Sequence, residues 1–495
     1  MHPIDHQPSS GVAGKVVRGS IWSALGLVIS RISRLAGNIA LARLVLPEEV
    51  GHYAIAYSTV SILTLPLDVG LSRFLPLRSK AGTAWLRRAL PIYLGSSLLL
   101  GLVALALLPG FDGVQGPLLA TAVLIECLSR ALTHSQEVQL AQALRFKELA
   151  GYRAVQSIST IALQVGFALL SFGSFGLFVA HQASNCFTLL LRRRSVRLPR
   201  WKSPSLRTSG ILLREMLGVS SPQALQRVIV ELPALLGLVG LVSDSVIGVY
   251  RMSSVLSVQV MNLVNAAYTG IVIPALSAVK EGDERSSLSR SMSRAVWALG
   301  SATVILQAGA LPVAVSMMGD RWDALLPVSF ILTCSIIFRL QNTLAEPMLL
   351  MAGRLRAVSM VALVTTGSMI FGVATITLGE ASPSAIHLAT LSAMSSALSA
   401  ALAWRSVYAL KAAFLPMAIQ VIFRYGTRPT VLLGTIAVLV LSGADLLGEQ
   451  LLIFGAALGG AVYQLWAETR GIDRVALVQR VTGGRLARAF GGRRN

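Results

Sequence analysis

Seven arginines lie inside stretches of sequence too apolar to remain in water: Arg31, Arg34, Arg73, Arg130, Arg227, Arg251 and Arg339. Each costs about 2.5–3.5 kcal/mol at the centre of a membrane helix on insertion scales, so a chain carrying this many needs ion pairing, a wet cavity or a ligand. A guanidinium stays charged and offers a fork of donors to carboxylate or phosphate oxygens. Spacing divides the seven. Arg31 and Arg34 fall at three- and four-residue steps with Ser20, Ser23 and Asn38, which makes one polar stripe and a candidate cavity lining. Arg130 has Glu126 and His134 four residues to either side, and Arg227 has Glu231 at four. Those spacings suit a structural ion pair as well as a binding role. Arg251 heads a stripe with Ser254, Asn262 and Asn265, although its place near a helix end also suits snorkelling. Arg339 shares a stripe with Ser335, Asn342 and Glu346. Arg73 lies off the Tyr57, Ser61, Thr64, Asp68 face and close to a helix end, where it is expected to snorkel.

Other chemistries find no residues to carry them. The sequence has no phosphate-binding Gly-Lys-Ser/Thr motif, no His/Cys/Asp/Glu grouping at metal-ligand spacing, and no long polar loop that would hold a catalytic acid or histidine. Cys127, Cys186 and Cys334 all sit in apolar runs and read as packing residues. No enzyme, metal or organic cofactor is expected.

The elements that must hold the arginines are membrane helices. The 495 residues are 54% hydrophobic and 13% charged, with a mean hydropathy of +0.68, whereas soluble domains are about 25% charged. Apolar runs near the length needed to cross a bilayer place spans at about 20–42, 52–75, 90–109, 117–138, 154–172, 174–191, 215–242, 246–275, 295–318, 324–351, 357–378, 384–404, 430–446 and 450–467. That is fourteen, with 412–423 short and interfacial. Residues 1–19 hold no apolar core or cleavage site, so the first helix is expected to direct insertion.

Charge orients this layout. Residues 192–214 carry eight Lys/Arg and no acid. In a soluble protein this block and a pI of 11.0 would point to nucleic acid, but its flanks could not stay in water. Loops on its side, with both termini, hold 34 of the 43 basic residues, and the opposite loops hold Arg43 and Arg321 alone. The split makes the basic side and both termini cytoplasmic.

The two sides of the basic block resemble each other. Gly51-His52-Tyr53 opens helix 2 and Gly248-Val249-Tyr250 opens helix 8, while Leu75-Pro76 and Ile273-Pro274 close them. Six helices separate the copies, so they enter the membrane in the same direction, a parallel repeat. The chain then divides into a six-helix bundle over 1–191, a basic linker over 192–214, a second bundle over 215–410, helices 13 and 14 within 411–467, and a basic tail over 468–495.

The run from Ala42-Arg43-Leu44-Val45-Leu46-Pro47-Glu48-Glu49-Val50-Gly51-His52-Tyr53-Ala54 to Asp68-Val69-Gly70-Leu71 resembles the first hairpin of the polysaccharide-exporting flippases. Those belong to the multidrug/oligosaccharidyl-lipid/polysaccharide exporter superfamily. Leu144-Arg145-Phe146-Lys147, Gly248-Val249-Tyr250 and Ile273-Pro274-Ala275-Leu276-Ser277 extend the resemblance over most of 19–280. It implies an all-α polytopic protein of the bacterial inner membrane, with two six-helix bundles around a central cavity plus two C-terminal helices. The implied activity is moving a polyprenyl-diphosphate-linked oligosaccharide to the outer leaflet, in the company of a polymerase and glycosyltransferases. On that reading Arg31, Arg34, Asn38, Arg130, Arg227, Arg251, Asn262, Arg339 and Asn342 face the cargo. Asp68, Glu126, Glu231 and Glu346 serve as counter-ions or couple transport to protons or sodium. The alternatives are a drug/cation antiporter of the same fold, which would favour acids over arginines in its cavity, and a membrane scaffold for polysaccharide enzymes.

Overall fold

The computed structural model describes residues 29–77, 82–107, 115–142, 145–195, 231–257, 304–351, 355–378 and 383–408, with a few single positions between them. These residues form helices and turns, with no strand among them. In chain order the helices are α1 (29–44), α2 (Pro47–Leu77), α3 (Gly82–Leu107), α4 (Gln115–Gln142), α5 (Phe146–Leu169), α6 (Gly173–Arg192), α7 (231–238), α8 (244–257), α9 (304–316), α10 (Leu325–Met351), α11 (Leu355–Leu378) and α12 (Ala385–Tyr408). Expected helices 13 and 14, the interfacial segment and most of the basic linker lie outside the described residues.

Several helices run past the apolar windows that announced them. α2 begins at Pro47 rather than near 52, because proline suits the first helical position and the Glu49 carboxylate accepts the Leu46 amide at 3.0 Å, half of a capping box. α3 starts at Gly82 and takes in Arg87 and Arg88, and α5 starts at Phe146 and takes in Lys147 and Arg153. Hydropathy reads the thickness of hydrocarbon, while backbone hydrogen bonds continue into water. α5 stops earlier than expected, at Leu169, where Ser171 adopts a left-handed φ of 58°. The amides of Phe172 and Ser171 there return to the carbonyls of Phe167 and Ala168, the pairing of a Schellman turn. α12 is capped by Ser384 and His387, each side chain bonded to the other's backbone amide at 3.3 Å.

The chain divides into two compact units, Met1–Arg251 and Met252–Asn495, the boundary falling within α8. In the first, α2, α4 and α6 meet at Ala56, Val60, Val123, Cys127 and Phe178, and Leu140, Leu149 and Tyr152 join α4 to α5. In the second, α10 packs along α12 and α12 along α11.

Both units carry polar groups inside and large apolar groups outside. Ser58, Ser135, Gln136, Gln182, Ser184, Asn185 and Thr188 are buried, while Leu99, Ile158, Phe371 and Met394 are exposed. That polarity fits a bilayer, where lipid solvates the outer surface and helix contacts satisfy polar side chains. By length and composition alone, only Arg356–Thr377 and Ala385–Ala403 among the described helices would cross a membrane.

Candidate functional site

In the first unit two of the arginines, Arg130 and Arg251, converge on one aromatic ring. Tyr57 on α2 lies 5.6 Å from the Arg130 guanidinium and 5.5 Å from that of Arg251, measured to the ring centre. Arg130 reaches from α4 to the Tyr57 hydroxyl at 3.3 Å and the Thr64 hydroxyl at 2.8 Å. Arg251 reaches from α8 to Glu231 on α7 at 2.9 Å. The His181 ring on α6 stands edge-on to Tyr57 at 5.4 Å. Two cations over one ring are favourable because the ring face is electron-rich.

Each arginine is backed by a buried carboxylate. Glu126, 1% exposed, lies 3.5 Å from Arg130 and 3.7 Å from His181. It also accepts hydrogen bonds from the side-chain amides of Gln182 and Asn185. Glu231, also 1% exposed, accepts from Ser58 at 2.7 Å as well as from Arg251. The two arginine side chains keep about a fifth of their surface, 19% and 21%. Carboxylates held deep and guanidiniums left partly open make a surface able to take a further anion.

Several expectations change here. Arg251 turns inward to Glu231 and does not snorkel. Glu231 receives Arg251 across the turn between α7 and α8; the i,i+4 pair expected of Glu231 with Arg227 falls on a residue outside those described. Arg130 pairs with Glu126 as spacing allowed, and Glu126 also faces His181 on α6. Arg34 is exposed and donates from Nε to Ser157 on α5 at 3.2 Å, joining α1 to α5. Arg31 and Asn38 are half-buried on the same helix. The side chains of Asp68, Arg73, Asn262 and Glu346 are likewise outside the described set.

The second unit holds Arg339 and Asn342. Arg339 donates to Ser392 at 2.9 Å and Ser396 at 3.3 Å, and Asn342 to Ser399 at 2.8 Å. The three serines recur at four and three residues along α12, a stripe that its sequence contained and that joins it to α10.

Sequence reasoning missed Tyr57 as a hub, all the α6 partners, and a second ionic cluster at the basic end. Their signal was present: His181, Gln182, Asn185 and Thr188 recur at helical spacing in a run otherwise apolar. In the second cluster Arg192, fully buried, binds Glu137 at 2.9 Å, the Thr133 carbonyl at 3.3 Å and Gln156 at 3.4 Å. Arg153 takes the other oxygen of Glu137 at 2.9 Å. Nearby, Tyr152 meets the Ser195 hydroxyl at 2.6 Å and Arg145 donates to the Ser195 carbonyl at 2.8 Å, fixing the start of the linker. Arg145 also forms two 2.6 Å bonds to Glu148, and these hold that exposed carboxyl below its usual range.

An inside-out helical bundle that buries paired charges is the build of a multi-pass membrane transporter, and the comparisons agree. The Polysaccharide biosynthesis protein family model matches residues 40–327, and the chain belongs to that family. No curated protein matches the sequence. Among solved structures the chain is similar to the lipid II flippase MurJ in an inward closed conformation, at 12% identity and a TM-score of 0.69, over 91% of this chain and 99% of that one. It is also similar to an inward-facing multidrug resistance MATE transporter of the MOP superfamily, at 14% identity and a TM-score of 0.56 over 79% and 98%. A MOP superfamily transporter from Pyrococcus furiosus, whose binding pocket has reversed polarity, matches at 14% and 0.52 over 80% and 95%. The fold is therefore the MOP transporter and flippase fold, and the chain is an all-helical, multi-pass membrane protein of polysaccharide biosynthesis.

Proposed function

We propose that this protein carries a polyprenyl-diphosphate-linked oligosaccharide from the inner to the outer leaflet of the bacterial inner membrane, opening to one side at a time. The observation that carries the reading is the pair of partly open guanidiniums, Arg130 and Arg251, gathered on Tyr57 and each backed by a buried glutamate. A diphosphate cannot enter hydrocarbon unaccompanied, and arginine meets its oxygens with paired donors while remaining charged. Arg31, Arg34 and Asn38 on α1, together with Arg227, Asn262, Arg339 and Asn342, complete the proposed lining. Membership of a polysaccharide biosynthesis family and likeness to a lipid II flippase support the cargo class. Any coupling to protons or sodium is assigned to Glu126, which His181 also contacts, with Asp68, Glu231 and Glu346 as further positions.

Antiport of cationic drugs is disfavoured, because Glu126 and Glu231 are each already engaged by an arginine. Partners on this reading are the polymerase and the glycosyltransferases that make and consume the lipid-linked glycan.

Depleting the protein in cells should cause lipid-linked oligosaccharide to accumulate on the cytoplasmic face, read as cargo resistant to a glycan-cleaving enzyme added outside. Cargo that still reaches the outer face at the normal rate would remove this function. The orientation has its own check. A reporter fused after Leu191 or Arg470 is expected in the cytoplasm and one at Asp112 outside, and a cytoplasmic Asp112 fusion would overturn the topology.

A further inference from the structure

Two helix starts cross in the first unit with a symmetry that the repeat explains. A Cβ added to Gly51 on α2 would lie 1.9 Å from the Asp244 carbonyl oxygen, and one added to Gly248 on α8 would lie 1.7 Å from the Pro47 carbonyl oxygen. In each case the glycine of one helix meets the backbone four residues before the glycine of the other. Gly51 and Gly248 open the two copies of the Gly-x-Tyr motif, and Pro47 and Asp244 are separated by the same 197 residues. The repeat mates therefore pack backbone to backbone about a local two-fold relation. A side-chain neighbour could swing aside, but a carbonyl in a helix cannot, so only glycine permits this approach.

Beside the crossing, His52 Nε2 lies 2.9 Å from an Asp244 carboxylate oxygen, with the two side chains 46% and 40% exposed. With its proton on Nε2 the imidazole donates to Asp244 whether neutral or charged. Half-exposed pairs of this kind are weakly held, unlike the buried Arg251–Glu231 pair farther along α8.

We propose that the α2–α8 crossing at Gly51 and Gly248 is a reversible seal on the side away from the basic loops, closed in this structure and clasped by His52 and Asp244. This rests on the reading of the chain as a transporter that opens to one side at a time. The glycines allow the two backbones to meet without side chains to disentangle. The clasp adds a contact that water can replace when the helices part. The seal thus combines close fit with a weak bond, as a contact made and broken in each cycle requires.

The test uses the full chain in membranes, with Cys127, Cys186 and Cys334 replaced by serine and cysteines introduced as His52→Cys and Asp244→Cys. Mild oxidation without added cargo should join them, read as loss of two thiols to a maleimide-polymer label. Adding Gly248→Ala should lower the yield several-fold by forcing the helices apart. Gly95→Ala should leave it unchanged, since nothing lies within 4 Å of a Cβ there. In cells that depend on the chain for glycan export, oxidation should stop export and a reductant should restore it, which separates locking from misfolding. A pair that does not join, or joins equally well with Gly248→Ala, overturns the crossing. Export that continues through the crosslinked protein overturns its role as a seal. If the yields behave as expected but export does not depend on the chain at all, the cargo assignment fails and the crossing stands.

Discussion

Replacing Glu231 by alanine should destabilise the protein by about 3–5 kcal/mol, the cost of leaving a buried charge without its partner. Glu231 is 1% exposed and receives both Arg251 and the Ser58 hydroxyl. Its loss strands a guanidinium that retains only about a fifth of its surface. Arg251→Ala should cost a similar amount by stranding the carboxylate. Changing both together, as Glu231→Leu with Arg251→Met, should recover a large part of either loss, because desolvating two charges offsets much of their attraction. The exposed Arg145–Glu148 pair provides the contrast. It has two 2.6 Å bonds, yet Glu148→Ala should change stability by no more than about 1 kcal/mol, because both partners remain in water. That small effect should vanish as the pH falls, since a carboxyl held below its usual range contributes only while ionised. Thermal unfolding of the purified protein, with abundance in the membrane, measures all of these. A double variant no more stable than the singles would mean that burial of the pair is not what makes it strong.

The helices were legible because lipid imposes a long apolar run on each, and the arginines were legible because they interrupt those runs. Arg130 and Glu126 could be paired from spacing alone, being one turn apart on one helix. Arg251 and Glu231 could not, because their contact is made across the turn between α7 and α8. At Arg251 spacing allowed both an inward stripe and snorkelling, and only the position of Glu231 decides between them. The partners on α6 and α12 escaped notice for a related reason: serines, amides and a histidine in an apolar helix carry little weight in a hydropathy sum. The repeat was legible at Gly51 and Gly248, but its packing was not. A motif spaced 197 residues apart does not announce that its two copies touch.

Arg34→Ala should leave the protein abundant in the membrane and abolish glycan export. The structure makes this the cleaner test of phosphate binding. At Arg130 or Arg251, alanine strands a buried glutamate, so lost export there would mix misfolding with lost binding. Arg34 is exposed and its Nε is bonded to the neutral Ser157 hydroxyl at 3.2 Å, so its removal should cost only about 1 kcal/mol. Arg31→Ala belongs in the same experiment, since Arg31 occupies the same polar stripe. Lysine at either position should restore part of the export, because it returns the charge but not the forked donors that meet two phosphate oxygens at once. Tyr57→Leu extends the argument to the centre of the cluster. It removes the ring that gathers Arg130 and Arg251 without changing any charge, so export should fall with only a moderate loss of abundance. Two quantities must be read together, protein in the membrane and lipid-linked oligosaccharide held on the cytoplasmic face. Normal abundance with accumulated cargo supports α1 as a phosphate-binding helix. Normal abundance with normal export in both alanine variants would remove Arg31 and Arg34 from the site and leave Arg130 and Arg251, on their tyrosine, as the groups that meet the diphosphate.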